Sequence, residues 1–237
     1  RSGWRRARPP GPPGRVRGTI DAVTEVRPAT RTFDPARLEP LLGAGTPTVP
    51  LDDPSGCTIW LKLEYQLPSG STKDRFAAHV LARAVAEGQV GPDTTVVEAS
   101  SGSTSIAFAM ACAALGVRFV AVLPEGVSDE RLMIIRRYGG EVALSPGDAG
   151  MPGAIAEAER LAAGDPGVFL PRQFTNPANV AAHASRTGPE LLASVRAAGG
   201  SVDGFVAAVG TAGTLMGVGQ VVRDADPGAT VARVVVA

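Results

Sequence analysis

Lysine is nearly absent from this chain. Of 23 basic side chains in 237 residues, 21 are arginine and only two, Lys62 and Lys73, are lysine. Arginine stays charged at any accessible pH, so only these two basic side chains can lose a proton on desolvation and become nucleophilic amines. Cysteine is equally scarce. Cys57 and Cys112 allow at most one disulfide, which excludes a disulfide-stapled secreted scaffold and makes a reduced, cytoplasmic protein the default expectation. No apolar run approaches the roughly 20 residues needed to span a bilayer, so no membrane association is expected. No metal site is expected either.

What is present is a balanced globular composition, 44% hydrophobic and 19% charged with no net charge. The balance conceals an asymmetry: residues 1–18, "RSGWRRARPPGPPGRVRG", hold six arginines and no acid, leaving a net charge of −6 over the rest. A basic segment this rich in Pro and Gly cannot pack a core, and residues 1–28 read as a disordered, solvated tail with no nucleic-acid role expected.

From Thr58 onward, short β-branched runs alternate with helical patterns. Strands are expected at Thr58–Glu64, Thr95–Ala99, Arg118–Leu123, Glu141–Leu144, Gly167–Pro171, Gly204–Val209 and Thr230–Val236. Helices are expected at Asp74–Glu87, Thr104–Leu115, Asp129–Tyr138, Ala154–Ala163, Asn179–Ala197 and Thr214–Arg223; in the first of these Phe76, Val80, Leu81, Ala84 and Val85 follow helical spacing. Continuous apolar strands separated by helices imply parallel sheets covered on both faces, hence an α/β class with open, doubly wound sheets. Ligands of such sheets bind beyond the carboxyl ends of the strands.

Three strand-to-helix turns are rich in small polar residues. "VGTAGT", Val209–Thr214, offers backbone N–H groups and a helix start to an anion, though by itself it equally suits a plain tight turn. It is neither a Walker loop nor a GxGxxG dinucleotide turn. "EASSGSTS", Glu98–Ser105, sets Ser100, Ser101, Ser103 and Thr104 around Gly102; a helix cap needs one such residue, and four suit a carboxylate ligand. "PSGSTK" carries Lys73, which can attack a carbonyl and form a Schiff base if partly desolvated, and which alone is indistinguishable from a surface lysine.

Together, in order and spacing, these turns resemble the cysteine synthase and cystathionine β-synthase family of pyridoxal-phosphate enzymes, of fold type II. The resemblance runs from about Gly45 to Val236 through "GTPTVPL", "LKLEYQLPSGSTKDR", "VEASSGSTSIAFA", "RRYGGEV", "QFTNPANVAAHASRTGPEL" and "VGTAGTLMGVG". It implies pyridoxal 5'-phosphate as cofactor, with Lys73 bonded to it and later taking the substrate's α-proton. Gly210, Thr211, Ala212, Gly213 and Thr214 would hold the phosphate, and Ser103 would face the cofactor ring. Ser100, Ser101, Thr104 and Gln173 would hold the substrate carboxylate. Lys62 reads as structural, and His79 and His183 as packed or hydrogen-bonded rather than catalytic. The implied reaction is β-replacement, making cysteine from O-acetylserine or a similar activated serine and sulfide or a thiol. The alternatives are α,β-elimination, as in cysteine desulfhydrases or serine/threonine dehydratases, and a truncated, non-catalytic homologue.

Two substitutions and one missing segment depart from the family pattern. Ser103 stands where the family usually has Asn, and Ala212 where it usually has Gly; the alanine is strained only if its φ is positive. Members also continue beyond the strand matching "TVARVVVA", so the larger domain is expected to be C-terminally incomplete. The expected division is 29–73 plus 176–237 for that cofactor domain and 74–175 for a smaller, substrate-clamping one. A homodimer is implied for the full-length protein.

Overall fold

The computed structural model describes residues 32–234. The basic segment and the last two residues of the final expected strand lie outside the described residues. In chain order the elements are α1 (Glu39–Gly43), β1 (Thr48–Asp52), β2 (Thr58–Lys62), α2 (Lys73–Ala86), β3 (Thr95–Ala99) and α3 (Ser103–Leu115). There follow β4 (Arg118–Pro124), α4 (Asp129–Arg137), β5 (Glu141–Ser145), α5 (Gly150–Ala162) and β6 (Val168–Phe169). The chain closes with α6 (Ala178–Ala182), α7 (Gly188–Ala197), β7 (Gly204–Ala208), α8 (Gly213–Ala225) and β8 (Thr230–Val234).

The central sheet is parallel, in the order β5-β4-β3-β6. Helices cover both of its faces. Phe76 and Leu81 of α2, Phe108 and Leu115 of α3, and Val96, Phe119, Ala121 and Leu123 of the strands form the main core on one side. Phe108 meets Phe76 edge-on and stacks on Phe119. On the other side, Ala154 and Ala158 of α5 pack on Val97, Ala99 and Val122. A third cluster joins α7, α8, Trp60 and Phe205. The α/β class is therefore as the sequence implies. No helix among the described residues is long and apolar enough to cross a membrane.

Two expectations are corrected. The strand expected at Thr58–Glu64 does not join a parallel sheet: β2 pairs antiparallel with β1, Thr48 opposite Lys62 and Asp52 opposite Thr58. The pairing brings Pro50 opposite Trp60, and proline is tolerated because β1 is an edge strand. The single helix expected over Asn179–Ala197 is interrupted: His183–Thr187 is one π-helical turn between α6 and α7. Such turns widen a helix locally and often occur at functional sites. Here α8 lies close against it: a Cβ at Gly217 would fall 2.4 Å from the Val180 carbonyl oxygen, so only glycine permits the approach.

Candidate functional site

Lys73 is the first residue of α2, and its N–H is 3.3 Å from Ser71 Oγ. Asp74, next in the chain, accepts from the Ser69 N–H at 2.7 Å and from the Ser69 hydroxyl, folding the "PSGST" turn back onto the helix start. Burial pushes the Lys73 amine below the usual lysine range. The sequence singled out this lysine for a proton that can leave, and its surroundings favour that loss.

Lys62, the other lysine, is held in an ion-pair network, its Nζ 3.0 Å from Glu190 and 2.5 Å from the Thr46 carbonyl oxygen. Arg75 completes the network, donating from Nε and Nη2 to Glu64 at 2.6 and 2.8 Å and from Nη1 and Nη2 to Glu190 at 2.8 and 2.7 Å. These contacts fix the start of α2 against the turn that follows β2 and against α7. Arg75, Glu64 and Glu190 lie within the motifs quoted above, but no local pattern announces a meeting between residues so distant in sequence.

The "EASSGSTS" turn joins β3 to α3. Ser100 is buried, and its Oγ accepts from the N–H groups of Gly102 and Ser105, both at 3.1 Å, and pairs with the Ser105 hydroxyl at 2.6 Å. Ser101 and Ser103 are exposed. Thr104 is buried and donates to Gln173 Oε1 at 2.6 Å, while Gln173 Nε2 donates to the Ala99 carbonyl oxygen at 2.5 Å. One Nε2 hydrogen of Gln173 is left over. Glu98 sits beneath, with Oε1 3.5 Å from the Gln173 N–H and Oε2 unbonded; burial pushes its carboxyl up to about 8.

The "VGTAGT" turn runs from β7 into α8, a 13-residue helix. Ala212 has φ +64°, the left-handed conformation that strains alanine. A Cβ at Gly213 would stand 2.1 Å from Asn179 Oδ1, so glycine is obligatory there. Asn179 of α6 and His183 of the π turn hold the threonines of the turn. Asn179 Nδ2 donates to Thr211 Oγ1 at 2.8 Å and to the Gln173 carbonyl oxygen at 2.9 Å. His183 Nε2 lies 3.2 Å from Thr214 Oγ1 and its Nδ1 lies 2.8 Å from Thr187 Oγ1. Burial pushes this imidazole down to about 4, against the pull of Glu64 and with help from the Arg75 and Lys73 charges. Both ring nitrogens are occupied, in keeping with a packed histidine.

The serine-rich and glycine-rich turns are thus linked by hydrogen bonds, Thr104 to the side chain of Gln173, and Asn179 to the backbone of Gln173 and to Thr211. The start of α2 joins the same assembly: α2 packs on α6, and the Lys73 charge is felt at His183. Asn179 was not singled out from sequence, although "NPAN" contains it.

The α/β framework thus gathers a partly buried amine and two strand-to-helix turns rich in small polar residues into one assembly. Residues 40–237 match the family model described as pyridoxal-phosphate dependent enzyme, and the chain belongs to that family. A cysteine synthase of Staphylococcus aureus is 45% identical over 186 residues, covering 77% of this chain and 59% of the relative. A probable cysteine synthase of Bacillus subtilis is 38% identical over 181 residues, 76% of this chain and 58% of the relative. Among solved structures, an O-ureido-L-serine synthase superposes with a TM-score of 0.75 at 43% identity, covering 82% of this chain and 61% of that one. A hydrogen sulfide-producing enzyme of Fusobacterium nucleatum gives 0.78 at 32%, covering 84% and 62%. The chain spans about three fifths of the length of these relatives.

Proposed function

We propose that this chain is the cofactor- and substrate-holding part of a pyridoxal-phosphate-dependent cysteine synthase, replacing the β-substituent of O-acetylserine or a similar activated serine with sulfide. The observation that carries the reading is the continuous hydrogen-bonded link from Thr104 through Gln173 and Asn179 to Thr211, which joins the carboxylate turn to the phosphate turn. The residues fit the cofactor: Lys73 offers an amine whose proton is loosely held, and Gly210–Thr214 offer neutral donors at a helix start. When bound, pyridoxal phosphate acts as an electron sink for a carbanion at the substrate's α-carbon.

The chain's own residues do the rest. Lys73, once its amine is free, takes the α-proton at Nζ. Gln173 Nε2 and Ser101 present donors to the substrate carboxylate, Ser103 faces the cofactor ring, and Ser100 and Thr104 hold the turn in shape. Gly210, Thr211, Ala212, Gly213 and Thr214 receive the phosphate. A cytoplasmic, homodimeric protein fits this reading.

The test is product analysis on the full-length protein beside Lys73→Ala. Cysteine formed only with sulfide, and lost in the variant, supports replacement. Pyruvate and ammonia released without sulfide mean elimination instead, a reading that Ser103 favours. Neither product, with no cofactor-dependent visible absorption, identifies a non-catalytic relative. Light scattering on the same sample measures the dimer.

A further inference from the structure

We infer that Asn179 is a positioning residue coupling the two turns: it makes the Thr211 hydroxyl a hydrogen-bond donor toward the cofactor phosphate and sets the backbone of Gln173 beside the substrate carboxylate. This rests on the function proposed above and assigns part of it to a residue outside both turns.

Asn179 is 3% exposed, so its amide has no recourse to solvent. Its Nδ2 carries two hydrogens, and both are committed, one to the Gln173 carbonyl oxygen and one to Thr211 Oγ1. The direction of these bonds is settled by chemistry. A backbone carbonyl oxygen only accepts, so the atom facing Gln173 must be the NH₂ end of the amide. A hydroxyl has one hydrogen and two lone pairs. Because Thr211 Oγ1 spends a lone pair on Asn179, its hydrogen remains free to donate. An anion at the start of α8 needs a donor, and this arrangement supplies one without a basic side chain.

The other bond acts on the substrate side. Gln173 has Oε1 committed to Thr104 and one Nε2 hydrogen to Ala99, which leaves a single Nε2 hydrogen for a ligand. Where that hydrogen sits depends on the backbone of residue 173, which Asn179 holds. Aspartate at 179 has nearly the same shape but no hydrogens to give. It would take the Thr211 hydrogen for itself, release Gln173 and set a negative charge beside the phosphate.

The experiment titrates the apoprotein with pyridoxal phosphate and with pyridoxal, which reaches Lys73 equally but carries no phosphate. Wild type, Asn179→Asp, Thr211→Val and the double variant are compared by absorbance, with thermal melts to confirm folding. Asn179→Asp should weaken pyridoxal phosphate about 10- to 100-fold, the worth of a hydrogen bond to a charged group, and leave pyridoxal unchanged. The double variant should bind pyridoxal phosphate no more weakly than the worse single variant, because both lose one donor. Thr211→Ser should restore the preference for phosphate that Thr211→Val removes.

Equal loss of both aldehydes in a folded variant, or losses that add, would overturn the inference. If Asn179→Asp does not fold, the wild-type protein labelled with ¹⁵N-asparagine decides. Inorganic phosphate should shift the side-chain amide of Asn179 more than that of Asn176, and an unmoved Asn179 signal overturns the coupling. A wild type that binds neither aldehyde removes the proposed function and the coupling with it.

Discussion

Arg75 and Glu190 stand 115 positions apart and meet through two hydrogen bonds of 2.8 and 2.7 Å. The same guanidinium grips Glu64 along its other edge, and its side chain is only 2% exposed. Two positions after the lysine proposed to hold the cofactor, the chain is therefore locked to the turn that follows β2 and to α7 by one planar fork. The glutamates pull the guanidinium's pKa upward despite burial, and Arg75 and Lys62 hold Glu190 down at about 2 against the same penalty.

Lysine cannot replace that fork, since its compact ammonium cannot pair with two carboxylates bidentately. Arg75→Ala leaves Glu64 and Glu190 without their shared cation and should cost about 3–5 kcal/mol, the typical penalty for breaking a buried ion pair. Arg75→Lys should lose a smaller part of it. Urea unfolding monitored by circular dichroism measures both. A loss under about 1 kcal/mol for Arg75→Ala, the range of exposed pairs, would show that solvent already screens the network.

Ala212→Gly should stabilise the protein. The alanine is held at φ +64° in the turn before α8, where an L-residue costs about 1–2 kcal/mol relative to its preferred regions. Glycine removes that strain but gives the unfolded chain more freedom, so a net gain of several tenths to about 1 kcal/mol is expected. A shift of the urea midpoint to higher concentration at unchanged slope is the expected result. A fall in the midpoint would mean that the alanine methyl makes contacts worth more than its strain.

The strands of the central sheet and the three turns rich in small polar residues were legible in the sequence because glycine, serine and threonine clusters mark strand ends and β-branched runs mark the strands. Lys62 was legible as structural. β1 was not: "TVPLD" contains a proline and is half exposed, so it lacks an apolar run, and without it the antiparallel pairing of β2 could not be seen. The π turn at His183–Thr187 carries no periodicity of its own within an otherwise helical stretch. Asn179 and Glu190 stood inside the quoted motifs, but their roles are defined by Thr211 and Arg75, which only tertiary packing brings to them. The strain at Ala212 turned on the sign of one dihedral angle, which composition does not determine.

Glu98→Gln should make the protein more stable at alkaline pH than the wild type. Burial raises the folded-state pKa of Glu98 to about 8, well above its ordinary 4.5. The folded state therefore binds the proton more tightly than the unfolded chain. Its contribution is fully present below about pH 4.5 and is lost as pH rises through about 8. Glutamine fills the same space with no proton to lose, so the advantage of the variant should grow from pH 5 to pH 9. Urea midpoints at a series of pH values measure the difference, and parallel curves would mean that Glu98 ionises as an ordinary carboxylate.

His183 should impose the opposite trend on the acid side. Its folded-state pKa is lowered from 6.5 to about 4, chiefly because the ring is buried, with Arg75, Lys73 and His79 adding repulsion and Glu64 partly offsetting it. The unfolded chain takes up the proton first as pH falls. The contribution of this residue is thus fully present above about pH 6.5 and is lost as pH falls through about 4. Glu190, held down at about 2, weakens the fold in a lower window, so the two groups are separable. His183→Gln removes the titration, and its stability should change less than the wild type's between pH 6.5 and 4. The imidazole resonances provide an independent reading: in the folded wild type the His183 signal should not move between pH 7 and 5, and a midpoint near 6.5 would mean that water reaches the ring and that its bonds to Thr187 and Thr214 open readily.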